Sequence, residues 1–200
     1  MLAEAGAPLG IVTGIVGYVR GELVFDGRAG HAGTTPMDLR EDALVAAAEA
    51  VLRIRDAALV LPRAVATVGK LDVEPGGINV IPGRVRLSVD ARAPDVEALD
   101  RLVAAIEFEP RERTDPVAMS ERCIGALRAE IGERDLPVVE LVSGAGHDAG
   151  ILAAAGVDAG LLFVRSLNGG VSHSPDELSS DEDVALAVEV LAGAFARLVR

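Results

Sequence analysis

The sequence contains very few aromatic residues, and it also lacks other features that would narrow its function. Aromatic side chains make up 2% of the 200 residues and tryptophan is absent, so Ala, Val and Leu must build the core. The single cysteine, Cys123, excludes an internal disulfide and a zinc site made of cysteines. Its helical surroundings predict that Cys123 is a small buried residue.

Basic surface charge and long apolar runs are missing as well. The net charge of −12 argues against nucleic-acid binding, which needs a basic surface. No apolar run reaches the roughly 18 residues that a membrane-spanning helix needs, and the first residues do not resemble a signal peptide. We therefore expect a cytoplasmic protein that binds neither nucleic acid nor membranes. Because the first ten residues resemble the end of a helix, we also expect a fragment of a longer protein.

Residues 10–112 have the apolar spacing of an α+β domain. A bent strand or hairpin is predicted over residues 11–25, and a helix that starts with Thr35 as its N-cap follows the next loop. Further strands are predicted over 64–73 and 85–92, before a second helix over 94–106. This order indicates an antiparallel sheet with two helices on one face. The inward positions of the two helices are predicted to be Leu44, Ala47, Ala48, Val51 and Leu52, then Val96, Leu99, Leu102, Val103 and Ile106.

Residues 116–200 follow a different pattern, after a charged, proline-bounded segment over 107–116 that we interpret as a linker. A helix is followed by strand, helix, strand and a long final helix, which predicts a parallel α/β layer. Two short strands are too few for an independent sheet, so we expect part of a larger α/β domain. The final helix is predicted to be capped by Ser180 and to bury Val184, Ala187, Val188, Leu191, Phe195 and Leu198.

All three histidines lie in small polar loops and none lies on an apolar face. His31, His147 and His173 each follow or precede glycines. Loops of this kind position functional groups, and imidazole is suited to a ligand or a metal ion. This pattern favours functional roles over ordinary surface positions.

Several local patterns leave alternatives open. Residues 144–149 match a G-x-G-x-x-A dinucleotide motif, although no acidic residue ends the next strand. His173 has no histidine four residues away, so spacing alone makes it a weak metal ligand, and the Ser172–His173 pair lacks a nucleophile-elbow motif. Asn79 and Arg92 have the donors for a carboxylate clamp, or they are an ordinary turn residue and a solvated arginine.

Five motifs in a fixed order resemble one enzyme family. The chain is similar to the two-metal amidohydrolases that include N-carbamoyl-L-amino-acid hydrolase, allantoate amidohydrolase and β-alanine synthase, which are relatives of aminoacylase and of the zinc peptidases. The motifs are Gly30–Met37 with Arg40 and Asp42, Gly77–Pro82, Asp90–Arg92, Ser143–Ala149 and Gly170–Glu177.

The resemblance implies a two-domain organisation and a role for each candidate residue. Residues 10–112 resemble a lid domain that also dimerises, and residues 116–200 resemble the C-terminal part of a catalytic domain. His31 matches a catalytic histidine that stabilises the tetrahedral intermediate in the partner subunit's site. The substrate-binding residues implied are Asn79, Arg92 and His147, and the implied metal ligand is His173.

The family's other metal ligands and its general base match no residue of this chain. The resemblance therefore implies a zinc- or manganese-dependent hydrolase of carbamoyl or ureido C–N bonds in small carboxylates, of which this chain is a truncated, homodimeric and inactive part. Two alternatives remain at this point. One is a non-catalytic dimerisation or binding module, and the other is a dipeptidase or aminoacylase of the same superfamily.

Overall fold

The computed structural model describes residues 2–199, which form two compact units. One unit, here called the inserted unit, is continuous from Gly17 to Pro116. The other, here called the flanking unit, combines the residues up to Val16 with those from Val117 onward. The predicted division placed residues 10–16 with the lid, whereas the strand formed there is hydrogen-bonded to strands of the C-terminal segment.

Both units mix helices and strands. In the inserted unit, the strands and helices of the described residues are β2 (Gly17–Asp26), β3 (Gly30–His31), α1 (Ala43–Leu59), β4 (Val65–Thr67), β5 (Leu71–Glu74), β6 (Val80–Ile81), β7 (Arg84–Ala93), α2 (Val96–Ile106) and β8 (Glu109–Thr114). In the flanking unit, they are β1 (Leu9–Ile15), β9 (Val117–Ala118), α3 (Glu121–Gly132), β10 (Glu140–Ser143), α4 (Asp148–Ala154), β11 (Leu161–Val164) and α5 (Asp181–Leu198).

The inserted unit contains an antiparallel sheet in the order β4-β7-β2-β8, with β5 also paired to β7. Along β7 the side chains alternate, so that Val85, Leu87 and Val89 are buried while Arg84 and Arg86 are exposed. Both helices pack against the buried side of this sheet. The predicted antiparallel sheet with two helices on one face is therefore present in this unit.

The predicted linker over 107–116 is wrong, because most of it forms the edge strand β8. All six of its residues are exposed, and four of them are charged. Charged side chains protect an exposed sheet edge from pairing with other chains. The composition that resembles a linker is thus that of a protected edge strand.

The predicted strand or hairpin over residues 11–25 is divided between the two units. β1 ends at Ile15 and β2 begins at Gly17, and each strand belongs to a different sheet. A Cβ atom on Gly17 would lie 2.5 Å from the ring of Pro116. Glycine is therefore required at position 17, where the chain enters the inserted unit, because Pro116, the last residue of that unit, lies directly beside it.

The helix after the His31 loop begins later than predicted. Pro36 precedes a short 3-10 turn, and α1 starts at Ala43 with Asp42 as its N-cap. The Asp42 carboxylate accepts a hydrogen bond from the Leu44 amide at 2.9 Å. The buried side of α1 also differs from the predicted one and consists of Ala43, Ala47, Ala50, Ile54 and Ala58. Small alanines let the helix approach the sheet closely, and Leu44 and Leu52 are left exposed.

The flanking unit has β1 as its central strand. β10 pairs with β1 in parallel, β11 pairs with it on the other side in antiparallel orientation, and β9 also pairs with β1. The predicted parallel layer is therefore wrong for β11. The reason is that β1, which the prediction assigned to the lid, lies between the two later strands.

The predicted burial of the helices is confirmed for α2 except at Val96, which is exposed, and it is largely wrong for α5. In α2, Leu99, Leu102 and Ile106 are buried. In α5, Ser180 caps the first turn as predicted, but the buried residues are Asp183, Ala187, Val190 and Ala194. Val184, Val188, Leu191 and Phe195 are exposed. Cys123 is buried in α3, as predicted. None of the helices in residues 2–199 has the length and apolarity that crossing a bilayer requires.

Candidate functional site

His31 lies on the two-residue strand β3, where its ring is held by a backbone amide. The Gly33 N–H donates to Nδ1 of His31 at 3.0 Å. An imidazole that accepts at Nδ1 carries its proton on Nε2, so His31 presents an N–H donor outward. A Cβ on Gly33 would lie 3.2 Å from the ring, which explains why glycine occupies the position whose amide approaches it.

Two neighbouring segments fix the loop around His31. β3 pairs with β6, and the Ala32 amide donates to the carbonyl of Asn79 at 2.9 Å. Arg40 donates from Nε to the Thr35 carbonyl at 3.1 Å and from Nη2 to the Ala32 carbonyl. The structure therefore places His31 next to Asn79. Arg40, which belongs to the first motif, stabilises the loop through its hydrogen bonds to two backbone carbonyls.

Arg92 lies on β7, on the sheet face opposite the helices, and is held by a carboxylate. Its Nε donates to Oδ1 of Asp90 at 2.7 Å, and its Nη2 donates to Oδ2 at 3.0 Å. Asp90 Oδ2 also accepts from Nε of Arg20 at 2.9 Å. These hydrogen bonds, that from Arg92 first, lower the pKa of Asp90, and Asp90 in turn raises the pKa of Arg92.

The pair belongs to a larger polar network across three strands. Arg20 stacks over the ring of Tyr18 at 4.3 Å, and Tyr18 donates to Oε1 of Glu112 at 2.7 Å. Glu112 also accepts from Nη1 of Arg20 at 3.3 Å. The hydrogen bonds from Tyr18 and then Arg20 lower the pKa of Glu112. The contact between Arg20 and Asp90 depends on the register of β2 against β7, so the sequence alone does not reveal the network.

His147 is the N-cap of α4 and has the same ring geometry as His31. The Ala149 N–H donates to its Nδ1 at 3.0 Å, so the imidazole again presents Nε2–H. The preceding loop is fixed by Ser143, whose hydroxyl donates to the Ala145 carbonyl at 2.8 Å. Because His147 already binds the Ala149 amide, that amide is not available to a phosphate, which argues against the dinucleotide alternative.

His173 occupies a strained backbone position in an exposed loop. Its φ is 57°, a left-handed conformation that is uncommon for histidine. The Oε2 atom of Glu177 accepts from the His173 amide at 2.8 Å and from the Ser172 hydroxyl at 3.2 Å. Ser172 thus bonds to Glu177, which argues against a Ser172–His173 nucleophile pair. Strain of this kind clusters at functional sites.

An ion pair that no sequence pattern indicated anchors the ends of the His173 loop. Arg165 donates from Nε and Nη2 to the two carboxylate oxygens of Asp183 at 2.9 and 3.1 Å. Asp183 is buried in the first turn of α5, and the Arg165 carbonyl accepts from the Ser179 hydroxyl at 2.9 Å. A buried bidentate pair of this kind fixes both residues in place.

The side chains of residues 2–199 do not fit a metal ion by themselves. Within the described part of the chain, His, Cys, Asp and Glu side chains form no group of three that could hold one. His173 is a single candidate ligand, whereas a hydrolytic metal needs about three protein ligands. The roles predicted for His31, Asn79, Arg92, His147 and His173 stay predictions.

Comparison with known proteins identifies the family. The peptidase dimerisation domain family matches residues 13–117. The N-carbamoyl-L-amino acid amidohydrolase of Geobacillus stearothermophilus is 42% identical over 206 residues, which span 96% of this chain and 50% of that protein. The allantoate amidohydrolase of Bacillus subtilis is 36% identical over 206 residues, which span 95% of this chain and 50% of that protein.

Solved structures agree with the sequence relatives. The hydantoinase/carbamoylase family amidase of Burkholderia multivorans superimposes with a TM-score of 0.90 at 33% identity, covering 98% of this chain and 52% of that one. The chain thus spans about half the length of the relatives it matches. The resemblance drawn from the five motifs is confirmed: the chain belongs to the peptidase dimerisation domain family, among relatives named as amidohydrolases of N-carbamoyl amino acids and of allantoate.

Proposed function

We propose that this chain forms the lid and the C-terminal part of the catalytic domain of an amidohydrolase that cleaves carbamoyl or ureido C–N bonds in small carboxylates. The observation that carries the proposal is the fixed guanidinium of Arg92, held by two hydrogen bonds to Asp90. A guanidinium has five N–H donors in a fixed planar geometry, so one that a neighbouring carboxylate holds in a single orientation can also donate to a substrate carboxylate. Relatives named for N-carbamoyl amino acids and allantoate support a carboxylate-bearing substrate.

His31 would act on the other end of the substrate. When a nucleophile adds to the carbamoyl carbon, the carbonyl oxygen gains negative charge, which a fixed N–H donor stabilises. The Nε2–H of His31 is such a donor, because the Gly33 amide occupies Nδ1. Asn79 would add a donor at the carboxylate, and His147 would present a further Nε2–H to the substrate.

The divalent metal that the family implies enters no step proposed for this chain. Its described residues offer His173 and no group of three ligands. We therefore propose that the isolated chain does not turn over substrate. We also propose that the protein is cytoplasmic. We expect little metal per purified chain and no turnover of a panel that contains an N-carbamoyl amino acid, allantoate, a dipeptide and an N-acyl amino acid. Turnover of the dipeptide or of the N-acyl amino acid would contradict the proposal and favour the peptidase or aminoacylase alternative.

A non-catalytic binding module is the second candidate, and the absence of a three-ligand group among residues 2–199 favours it. Carboxylate binding distinguishes a substrate-binding role from a purely structural one. We expect an N-carbamoyl amino acid to shift the Arg92 Nε–Hε NMR signal, and the uncharged N-alkylurea without the carboxylate to leave it unchanged.

The matched variants of this titration use two arginines on the same face of β7. Arg92→Ala should abolish the shifts of neighbouring amides, whereas Arg86→Ala, which removes an exposed partner of Glu22, should preserve them. Equal loss in both variants would indicate non-specific attraction of an anion and would contradict the proposed role of Arg92.

We further propose that the inserted unit forms a homodimer through α1 and the β4 edge of its sheet. Val45, Leu52 and Leu59 lie at seven-residue spacing on the exposed side of α1, and Val65 of β4 is exposed as well. The opposite edge, β8, carries charges that oppose strand pairing. A second copy would pair β4 with β4 and bury the apolar residues of α1, as the dimerisation family suggests.

Light scattering tests the proposed dimer. We expect a mass near 41 kDa for the chain of 20.6 kDa, because two copies associate. Leu59→Asp should convert the dimer to a monomer by placing a charge in the contact. Val24→Asp on β2 is the control, since Val24 is also exposed but lies on the sheet face opposite the helices, and β7 separates its strand from β4. A dimer unaffected by Leu59→Asp would refute this interface.

A further inference from the structure

Arg20 lies on β2 between two acidic residues of the neighbouring strands. In the register of the sheet, Asp90 of β7 and Glu112 of β8 are the direct cross-strand partners of Arg20. The Arg20 guanidinium donates from Nε to Oδ2 of Asp90 at 2.9 Å and from Nη1 to Oε2 of Glu112 at 3.3 Å. This arginine therefore connects the three strands on the face that carries Arg92.

Tyr18 fixes Arg20 from the same strand. The Arg20 guanidinium lies 4.3 Å from the centre of the Tyr18 ring, a distance at which a cation is attracted to an aromatic face. Tyr18 also donates to Oε1 of Glu112 at 2.7 Å, so Tyr18 and Arg20 hold Glu112 together. Because the guanidinium is stacked on a ring and hydrogen-bonded to two carboxylates, it cannot leave Asp90 without breaking several contacts.

Charges of opposite sign alternate along this row, which runs from Glu112 through Arg20 and Asp90 to Arg92. Oδ2 of Asp90 accepts from Nη2 of Arg92 at 3.0 Å as well as from Arg20. The side chains of Asp90 and Arg92 are 28% and 26% exposed, so water and salt screen their charges less than those of a fully exposed pair. The hydrogen bond to Asp90 raises the pKa of Arg92, whereas burial and the positive charge of Arg20 lower it. The charge of Arg20 therefore acts at Arg92.

Asp90 has two opposing effects on a carboxylate that binds at Arg92. It holds the guanidinium of Arg92 in one orientation, but its own negative charge repels a second carboxylate nearby. Arg20 offsets this negative charge, because it donates to the same Asp90 oxygen that Arg92 uses. Glu112 in turn offsets part of the positive charge of Arg20.

We propose that Arg20 is a positioning residue for the substrate carboxylate, which holds Asp90 in place and offsets its charge so that Arg92 attracts an anion. The inference takes the role of Arg92 from the proposed function. It requires effects of opposite sign, because loss of the positive charge of Arg20 weakens anion binding and loss of the negative charge of Glu112 strengthens it. A network that only supports the sheet would weaken binding in both cases.

The test is titration of the full 200-residue chain with N-carbamoyl-L-alanine, followed by the NMR signals of Arg92 Nε–Hε and of neighbouring amides. Arg20→Met should raise the Kd about fivefold, since one charge is lost close to a partly exposed site. Arg20→Lys keeps the charge and should leave the Kd within about twofold of the unchanged chain. Glu112→Gln, whose amide oxygen can still accept from Tyr18, should lower the Kd about twofold.

Arg84→Met is the matched control for Arg20→Met. The Arg84 side chain is 49% exposed, compared with 45% for Arg20, and it pairs with Asp26 at 3.0 Å. Arg84 begins β7, whereas Arg92 lies near the end of that strand, so the same charge is removed far from the carboxylate site. The Kd should stay unchanged in Arg84→Met. An equal increase in both variants would reveal a non-specific effect of net charge and would overturn the inference.

The remaining outcomes separate this inference from the proposed function. Weaker binding in Glu112→Gln would overturn the inference, because it would indicate packing rather than charge. If Arg92→Ala abolishes the amide shifts while Arg20→Met leaves the Kd unchanged, the proposed role of Arg92 stands and the role of Arg20 alone is wrong. If Arg92→Ala and the unchanged chain give the same titration, the proposed role of Arg92 is wrong and that of Arg20 is wrong with it.

Discussion

The two units of this chain differ in how completely they cover their apolar surfaces. In the inserted unit, α1 and α2 cover one side of the sheet, and the other side carries charged residues of β2, β7 and β8. In the flanking unit, α5 exposes Val188 and Phe195, and β11 is an apolar edge. The first unit therefore covers its apolar surfaces with its own residues, whereas the second leaves apolar residues of α5 and β11 exposed or partly exposed.

The two units also differ in whether the strands of their sheets come from one continuous segment of the chain or from two separate segments. The inserted unit is one continuous segment, so all strands of its sheet come from residues 17–116. The flanking unit draws its central strand, β1, from the far N-terminal segment and its remaining strands from beyond Val117. A sheet whose strands come from distant segments of the chain folds only when all of those segments are present.

Separating the units should give the largest effect. We expect residues 17–116 alone to fold, with a dispersed NMR spectrum and a cooperative thermal transition. Residues 117–200 alone should not fold, because they lack β1, which lies between β10 and β11. Adding a peptide of residues 8–16 should restore structure to the second fragment and serves as the control. A well-dispersed spectrum of residues 117–200 without the peptide would contradict this view of the flanking unit.

The same leucine-to-alanine change should have unequal effects in the two units. Leu99→Ala on α2 removes a fully buried side chain and should lower the free energy of unfolding by about 3 kcal/mol. Leu191→Ala on α5 removes a partly exposed one and should change it by only about 0.5 kcal/mol. Amide hydrogen exchange of each unit measures both values. Comparable losses would mean that Leu191 is already covered in the isolated chain.

The predictable part of the fold was set by local spacing, and the rest depended on long-range packing. The α2 stripe was correct because leucine and isoleucine at helical spacing leave a single apolar side. The α5 stripe was wrong because a helix that is apolar on every side has no preferred one, and Val190 and Ala194 were selected by their fit to α3. The α1 stripe was right at Ala47 and in part at Val51, but wrong at Leu44 and Leu52, because alanines rather than the larger leucines face the sheet.

The candidate site shows the same limit. Glycine-rich loops mark His31, His147 and His173 in the sequence, but the amides that orient two of these rings become visible only with the backbone geometry. Asp90 and Arg20 are 70 residues apart in the chain, and their contact depends on the register of β2 against β7. Asp90 and Arg92, by contrast, lie two residues apart on one strand, so the alternation of side chains already places them on the same face.

The smallest predicted effect concerns the charged side of the inserted unit, through the variant Asp90→Asn. Its hydrogen bonds from Arg92 and Arg20 lower the pKa of Asp90, so the ionised carboxylate stabilises the fold at a pH above its ordinary value of about 4. That contribution is lost as the pH falls through the lowered pKa. Asp90→Asn should therefore reduce stability at neutral pH by about 1 kcal/mol or less, and the difference from the unchanged chain should shrink in acid.

Asp26→Asn provides the matched control for this variant, because Asp26 pairs with Arg84 at 3.0 Å at the exposed end of the same two strands. Urea unfolding followed by the fluorescence of Tyr18, the single tyrosine of the chain, reports on the inserted unit. The Arg92 Nε–Hε NMR signal should broaden or shift in Asp90→Asn and stay in place in Asp26→Asn. An unchanged signal in Asp90→Asn would show that Arg92 is oriented by other contacts, and the charged side of this sheet would then be ordinary solvated surface rather than a prepared carboxylate site.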